Sequence, residues 1–143
     1  MKDFSSPPEF AVPEIIAVAN PAAGAQWTQT VPNNTIWLIN NVEFQLLTDI
    51  TVINRIGRVE IFDGTTNTRI AMAGFNQAAS LTINHMYKLA GHGLNATNQG
   101  SGDLAHRLYL RPTWIIRSNV ANLQAGDALT AISLYIQRWL INF

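Results

Sequence analysis

The 143-residue chain has no cysteine, which excludes disulfide frameworks, thiol catalysis and thiolate metal sites and leaves the redox compartment open. It has little charge: Asp, Glu, Lys and Arg make up 13% of the residues, against roughly 25% in an average domain. Nine basic and nine acidic side chains cancel. No excess of Lys and Arg is present to neutralise phosphates, so we expect no nucleic-acid partner. Long apolar runs are missing too. A bilayer span needs about 20 apolar residues, and the longest candidate, Ala128 to Phe143, is cut by Gln137 and Arg138. Asp3, Glu9 and Glu14 and the helix-breaking Pro7, Pro8 and Pro13 interrupt the apolar stretch that a secretory leader needs. We therefore expect no membrane partner, no cleaved leader and, from Met1, a complete product. What is abundant is apolar: 48% of residues are hydrophobic, too many for a disordered chain.

Catalytic patterns are also scarce. His85, His92 and His106 lack the close spacing of a zinc site, and His85 and His106 fall on strand faces that read as inward. No serine sits in Gly-x-Ser-x-Gly, and neither Lys2 nor Lys88 follows a phosphate-binding glycine loop. Glu43 and Glu60, on outward strand faces, are the one carboxylate pair to weigh for glycoside cleavage. Asp49, Asp63, Asp103 and Asp127 stand at turns or strand ends, where Asp caps backbone groups. We expect no enzyme, no cofactor and no metal.

From Trp27 onward, apolar residues recur with period two between turn signals, and this predicts strands. The spans are Trp27–Val31, Ile36–Leu47, Ile56–Phe62, Arg69–Ala73, Leu81–Leu89, Leu104–Arg111, Trp114–Arg117 and Ala128–Trp139. Ala90 to Gly102, with four glycines, reads as a long loop, and Ile50 to Ile56 as a strand end or loop. Eight strands at this spacing predict an all-β fold, an eight-stranded antiparallel β-sandwich of jelly-roll-like form, over residues 27–143.

Residues 1–26 differ. Pro7, Pro8, Pro13 and Pro21 and the absence of any period predict an extended N-terminal arm. Its apolar set Val12, Ile15, Ile16 and Val18 is the expected anchor on a partner. Within the sandwich, Trp37, Ile39, Leu47, Tyr135 and Trp139 fall on faces opposite the inferred core. This surplus predicts burial against other subunits, with Trp37 and Trp139 as interface residues. Arginine outnumbers lysine seven to two, also an interface tendency.

Three stretches resemble a known family. Trp27-Thr28-Gln29-Thr30-Val31-Pro32 opens the sandwich. Asn54-Arg55-Ile56-Gly57-Arg58-Val59-Glu60-Ile61-Phe62-Asp63-Gly64 sits at its centre, and Ala125-Gly126-Asp127 near its end. Together they resemble the small β-sandwich structural proteins of tailed-bacteriophage virions over about residues 27–139. The resemblance implies a capsid decoration (cement) protein. Such a protein is made in the host cytoplasm, sits on the capsid surface as a homotrimer and ties neighbouring major capsid proteins together. Its alternatives are the receptor-binding knob of a tail or head fibre, using the 90–102 loop and the turn near Thr65, and a small carbohydrate-active sandwich enzyme.

Overall fold

Alternating apolar and polar side chains form strands, and the computed structural model describes residues 11–89, 99–104 and 107–141. Those residues hold ten strands and no helix. The strands are β1 (Val12–Val18), β2 (Thr28–Thr30), β3 (Thr35–Leu47), β4 (Arg55–Phe62), β5 (Thr68–Gln77), β6 (Thr82–Leu89), β7 (Gln99–Leu104), β8 (Leu108–Leu110), β9 (Ile115–Ser118) and β10 (Ala128–Leu140).

One sheet has the order β1-β10-β3-β6-β7, with β8 on the first part of β3; the other is β2-β9-β4-β5. Setting β7 and β8 aside, the pairings run first with last and inward: β1 with β10, β2 with β9, β3 with β6, β4 with β5. That is a long hairpin rolled up so that alternate pairs fall in opposite sheets, the jelly-roll wrapping. The expected all-β sandwich is present. Among the described strands only β6 and β7 pair in parallel.

Three features differ from the sequence reading. First, Val12–Val18 of the expected arm forms the first strand of the roll. It is an edge strand, where proline is tolerated, so Pro13 does not prevent pairing. Second, Gln99–Gly102 of the long loop joins Asp103 and Leu104 in β7, so that the span expected as one strand, Leu104–Arg111, is shared between β7 and β8, while residues 90–98, 105 and His106 lie outside the described residues. Third, two bulges invert the faces. On β3, Ile39 faces Ile136 and Asn41 faces Tyr135, so Asn40 is the extra residue. The inward set changes from Trp37 and Ile39 to Val42, Phe44 and Leu46. On β10 a second bulge follows Thr130, with Ala131 at φ 48°, so that strict alternation from Ile132, Leu134 and Ile136, which would turn Thr130 inward, is broken and Leu129 points inward instead.

The core runs between the sheets. Trp27 packs edge-on against Phe44 at 6.1 Å, and Phe44 stacks on His85 at 5.0 Å and Tyr87 at 6.1 Å. Each buried side chain of this size contributes roughly 1.5–3 kcal/mol. Gly57 on β4 faces His85: a Cβ there would lie 2.2 Å from Nδ1, so only glycine lets the sheets approach with the imidazole between them.

Candidate functional site

The sequence-derived interface residues separate into two groups. Val12 and Ile15 on β1 are 50% and 65% exposed. Ile16 is partly buried against the core, and Val18 is in it. Trp37 is 2% exposed inside the roll, and Ile39 lies beside it in the core. Trp139 does point to the opposite face, as expected, but it is only 5% exposed and packs against Tyr109 at 5.9 Å. The single chain thus covers both tryptophans, and the bulge at Asn40 is why Trp37 looked surplus.

The exposed apolar surface is elsewhere, at one end of the roll. The loop from β3 to β4 displays Ile50 at 85% exposure and Val52 at 95%, with Ile53 beside them. Backbone bonds from Ser80 N to Asp49 O and from Thr48 N to Leu81 O bring the β5–β6 turn alongside, adding exposed Leu81. Unpaired aliphatic side chains at a loop tip are costly to hydrate, and such patches mark contact surfaces.

The tip is held from below. Arg55 opens β4 with its side chain fully buried. Its Nε donates to Asp127 Oδ2 at 2.9 Å, and its Nη2 donates to Asp127 Oδ1 at 2.8 Å and to Asp49 Oδ1. Its Nη1 donates to the carbonyls of Thr51 at 2.7 Å and Ile53 at 2.6 Å. All five guanidinium N–H groups are used, a satisfaction that arginine's rigid fork allows. Asp127 in turn accepts from the amides of Asp49 and Gln124, both at 2.8 Å. Asp49 accepts from Thr51 N at 2.9 Å. Gly126 gives Asp49 room, since a Cβ there would come within 2.7 Å of Oδ2.

The electrostatics agree with this geometry. Burial pushes the Asp127 carboxyl up, but the Arg55 contact and the two amides outweigh it and hold the group below its ordinary value. The Thr51 amide lowers Asp49, opposed by burial and helped by Arg55. Asp127 raises Arg55. The cluster is therefore fully ionised, one cation between two anions, and carries one net negative charge.

The motif residues of the resemblance are thus structural: Arg55 and Asp127 join two of the three stretches, and Trp27 of the third is core. Sequence reasoning missed Ile50, Val52 and Ile53. The available signal was an apolar run without period, flanked by Asp49 and Arg55, between two clear strands.

The catalytic candidates do not come together. Glu43 is on β3 and Glu60 on β4, in opposite sheets. Glu60 is buried and accepts from Arg117 and from Asn119 Nδ2 at 3.0 Å. His85 is buried and bonded to Gln77 Oε1 at 2.8 Å. Among the described residues no three His, Asp or Glu side chains gather as metal ligands. No protein-family model, curated protein or solved structure matches the chain.

Proposed function

We propose that this chain is a virion structural protein of the capsid-decoration type, which docks on the major capsid protein as a homotrimer through the aliphatic end of its jelly roll. The observation that carries the reading is the tip itself: Ile50 and Val52 stand in solvent on a loop whose carbonyls are fixed by a buried guanidinium. A loop ordered before contact loses little entropy on docking, so the apolar area it buries is expressed as affinity. A protein pocket suits this tip better than a lipid surface. Within residues 48–54 and 78–81 the sole charged side chain is Asp49, and there is no Lys, Arg or Trp to engage headgroups. Repetition around a shell multiplies a modest contact into stable attachment.

Phage heads stripped of the protein provide the test. Wild-type chain is expected to bind them saturably. Ile50→Ser with Val52→Ser should weaken binding at least about tenfold, the loss of roughly 1.5 kcal/mol or more of buried apolar contact. The fold should be unaffected, because both side chains already face water. Absence of wild-type binding overturns the decoration reading, and binding indifferent to the double substitution overturns the role of the tip. A monomeric mass at micromolar concentration overturns the trimer.

A further inference from the structure

Register sets Ile15, Tyr135, Asn41 and Lys88 in one cross-strand row on the outer face of the larger sheet. The next row carries Glu43 between Ser133 and Met86. Ile15 is 65% exposed, and Tyr135 and Met86 are half-buried. Beside Ile15, at the Asn40 bulge, lies a depression of about 570 Å³ lined by Pro13, Asn40 and Tyr135 among others. An exposed aliphatic knob thus stands next to a hollow of a size to receive one.

The charges of the face have the same paired character. On β1, β10, β3 and β6, Lys88 and Glu43 are the only charged side chains of these two rows. They are diagonal neighbours, and among the described residues neither makes a salt bridge. The Glu43 carboxylate accepts from Asn41 Nδ2 at 2.7 Å and, at 3.4 Å, from Tyr135 Oη, which leaves its charge without a cation. One unmatched cation beside one unmatched anion is self-complementary. Turned about a twofold axis in the plane of the face, Lys88 meets Glu43 of a second copy, and Glu43 meets that copy's Lys88.

We propose that this face is a contact between two copies of the chain, closed by a twofold axis, with reciprocal Lys88–Glu43 pairs and with Ile15 of each copy against the depression of the other. The two halves of the proposal agree geometrically. With strands about 4.8 Å apart and about 3.3 Å per residue, the rotation that matches the charges also sets Ile15 of the second copy over Gln137, beside Pro13 at the edge of the depression. The same rotation crosses the strands of the two copies near a right angle, one of the two ways in which sheets pack. A neutral face offers nothing to nucleic acid or to anionic lipid, both of which need an excess of positive charge. Four strands and the seven residues of β1 give a face of roughly 19 by 23 Å, at the small end of interfaces, so the association is weak and reversible. The contact is separate from the aliphatic tip and does not rest on head binding: Glu43 lies four residues before the end of β3, about 13 Å along the strand. It pairs single chains or, where the chain is trimeric, pairs trimers.

Sedimentation velocity of the full chain from about 5 µM to about 1 mM tests this, and the mass is expected to double with a Kd on the order of 100 µM. Lys88→Glu alone and Glu43→Lys alone each bring like charges together and should weaken self-association at least about tenfold. Mixed in equal amounts, the two variants should associate with each other about as tightly as the wild type does with itself, since each supplies the charge that the other lacks. Ile15→Asp, at an exposed position of an edge strand, should also weaken self-association at least about tenfold. A wild-type mass that does not rise across the range overturns the proposal. So do single reversals that associate like the wild type, a mixture no better associated than its components, or wild-type association in Ile15→Asp. If Glu43→Lys fails to fold, Lys88→Glu and Ile15→Asp decide by themselves: association undiminished in either overturns the contact. Head binding by the tip does not depend on any of these results.

Discussion

Strand β4 connects two loops that are built alike and displayed differently. The loop before it, at the aliphatic end, is fixed by Asp49 and Asp127 through buried Arg55. The loop after it is a hairpin in which Asp63 Oδ1 accepts from Thr65 N at 2.9 Å and from Thr66 N and Asn67 N, both at 3.2 Å. Arg69, 52% exposed, pairs with Asp63 Oδ2 at 2.9 Å. The backbone amides, Thr65 first, hold Asp63 well below the usual carboxylate range against the effect of burial. Each loop thus uses carboxylates to gather amides and an arginine to offset negative charge. At the hairpin the arginine is in water and the residues shown are Thr65, Thr66 and Asn67; at the other end it is dry and the residues shown are Ile50 and Val52. The difference teaches that a polar turn needs only its own cap. A loop that presents apolar side chains to solvent gains nothing from its own exposed residues and must be held from within the core.

The largest test of this contrast removes the buried cation. Arg55→Met leaves Asp127 ionised and enclosed, and it frees the carbonyls of Thr51 and Ile53. Breaking a buried pair on one side costs about 3–5 kcal/mol, a large share of the roughly 5–15 kcal/mol that holds a domain together. Denaturant unfolding should show that loss. If Arg55→Met unfolds at the same denaturant concentration as the wild type, the tip is not anchored in the core and the comparison fails.

Acid separates the ends from the middle. The desolvated His85 imidazole has its pKa lowered from 6.5 to about 4, so the folded state prefers it neutral. The unfolded chain binds its proton first as pH falls. The stabilisation is complete above pH 6.5 and is lost progressively down to about pH 4, amounting to about 3 kcal/mol. Asp49, Asp63 and Asp127 are depressed in the folded state, so their contributions persist through that window and are lost only as pH falls below the ordinary carboxylate range. Stability against pH should therefore decline in two stages, and His85→Asn should abolish the first. A decline that survives the substitution assigns the upper stage to another group.

How far the sequence reveals this molecule depends on distance along the chain. Strand spans were legible because period two is local: Ile36–Leu47 was expected against an observed Thr35–Leu47, and Ala128–Trp139 against Ala128–Leu140. Asp49, Asp63 and Asp127 were recognisable as caps, and His85 as inward, for the same reason. The bulges at Asn40 and Ala131 were not legible, because an extra residue is defined only against the partner strand. They moved Trp37 from an expected interface to the interior. Val12–Val18 looked like an arm because its pairing partner, β10, lies more than a hundred residues away. The Arg55–Asp127 contact spans 72 residues, so its two motifs could be seen while their meeting could not.

The smallest expected effect completes the comparison. Arg69→Ala deletes the exposed arginine of the hairpin but leaves the Asp63 bonds to Thr65, Thr66 and Asn67 intact. An ion pair with one partner half in water contributes little after screening and side-chain entropy, so the thermal midpoint should move by no more than about 3 °C. Raising the salt concentration should shrink even that difference. The matching measurement on Arg55→Met should depend much less on salt, because the Arg55 and Asp127 charges lie out of reach of mobile ions. If Arg69→Ala instead approaches the cost of Arg55→Met, depth is not what distinguishes the two ends. The exposed residues of the tip would then need another explanation than support from the core.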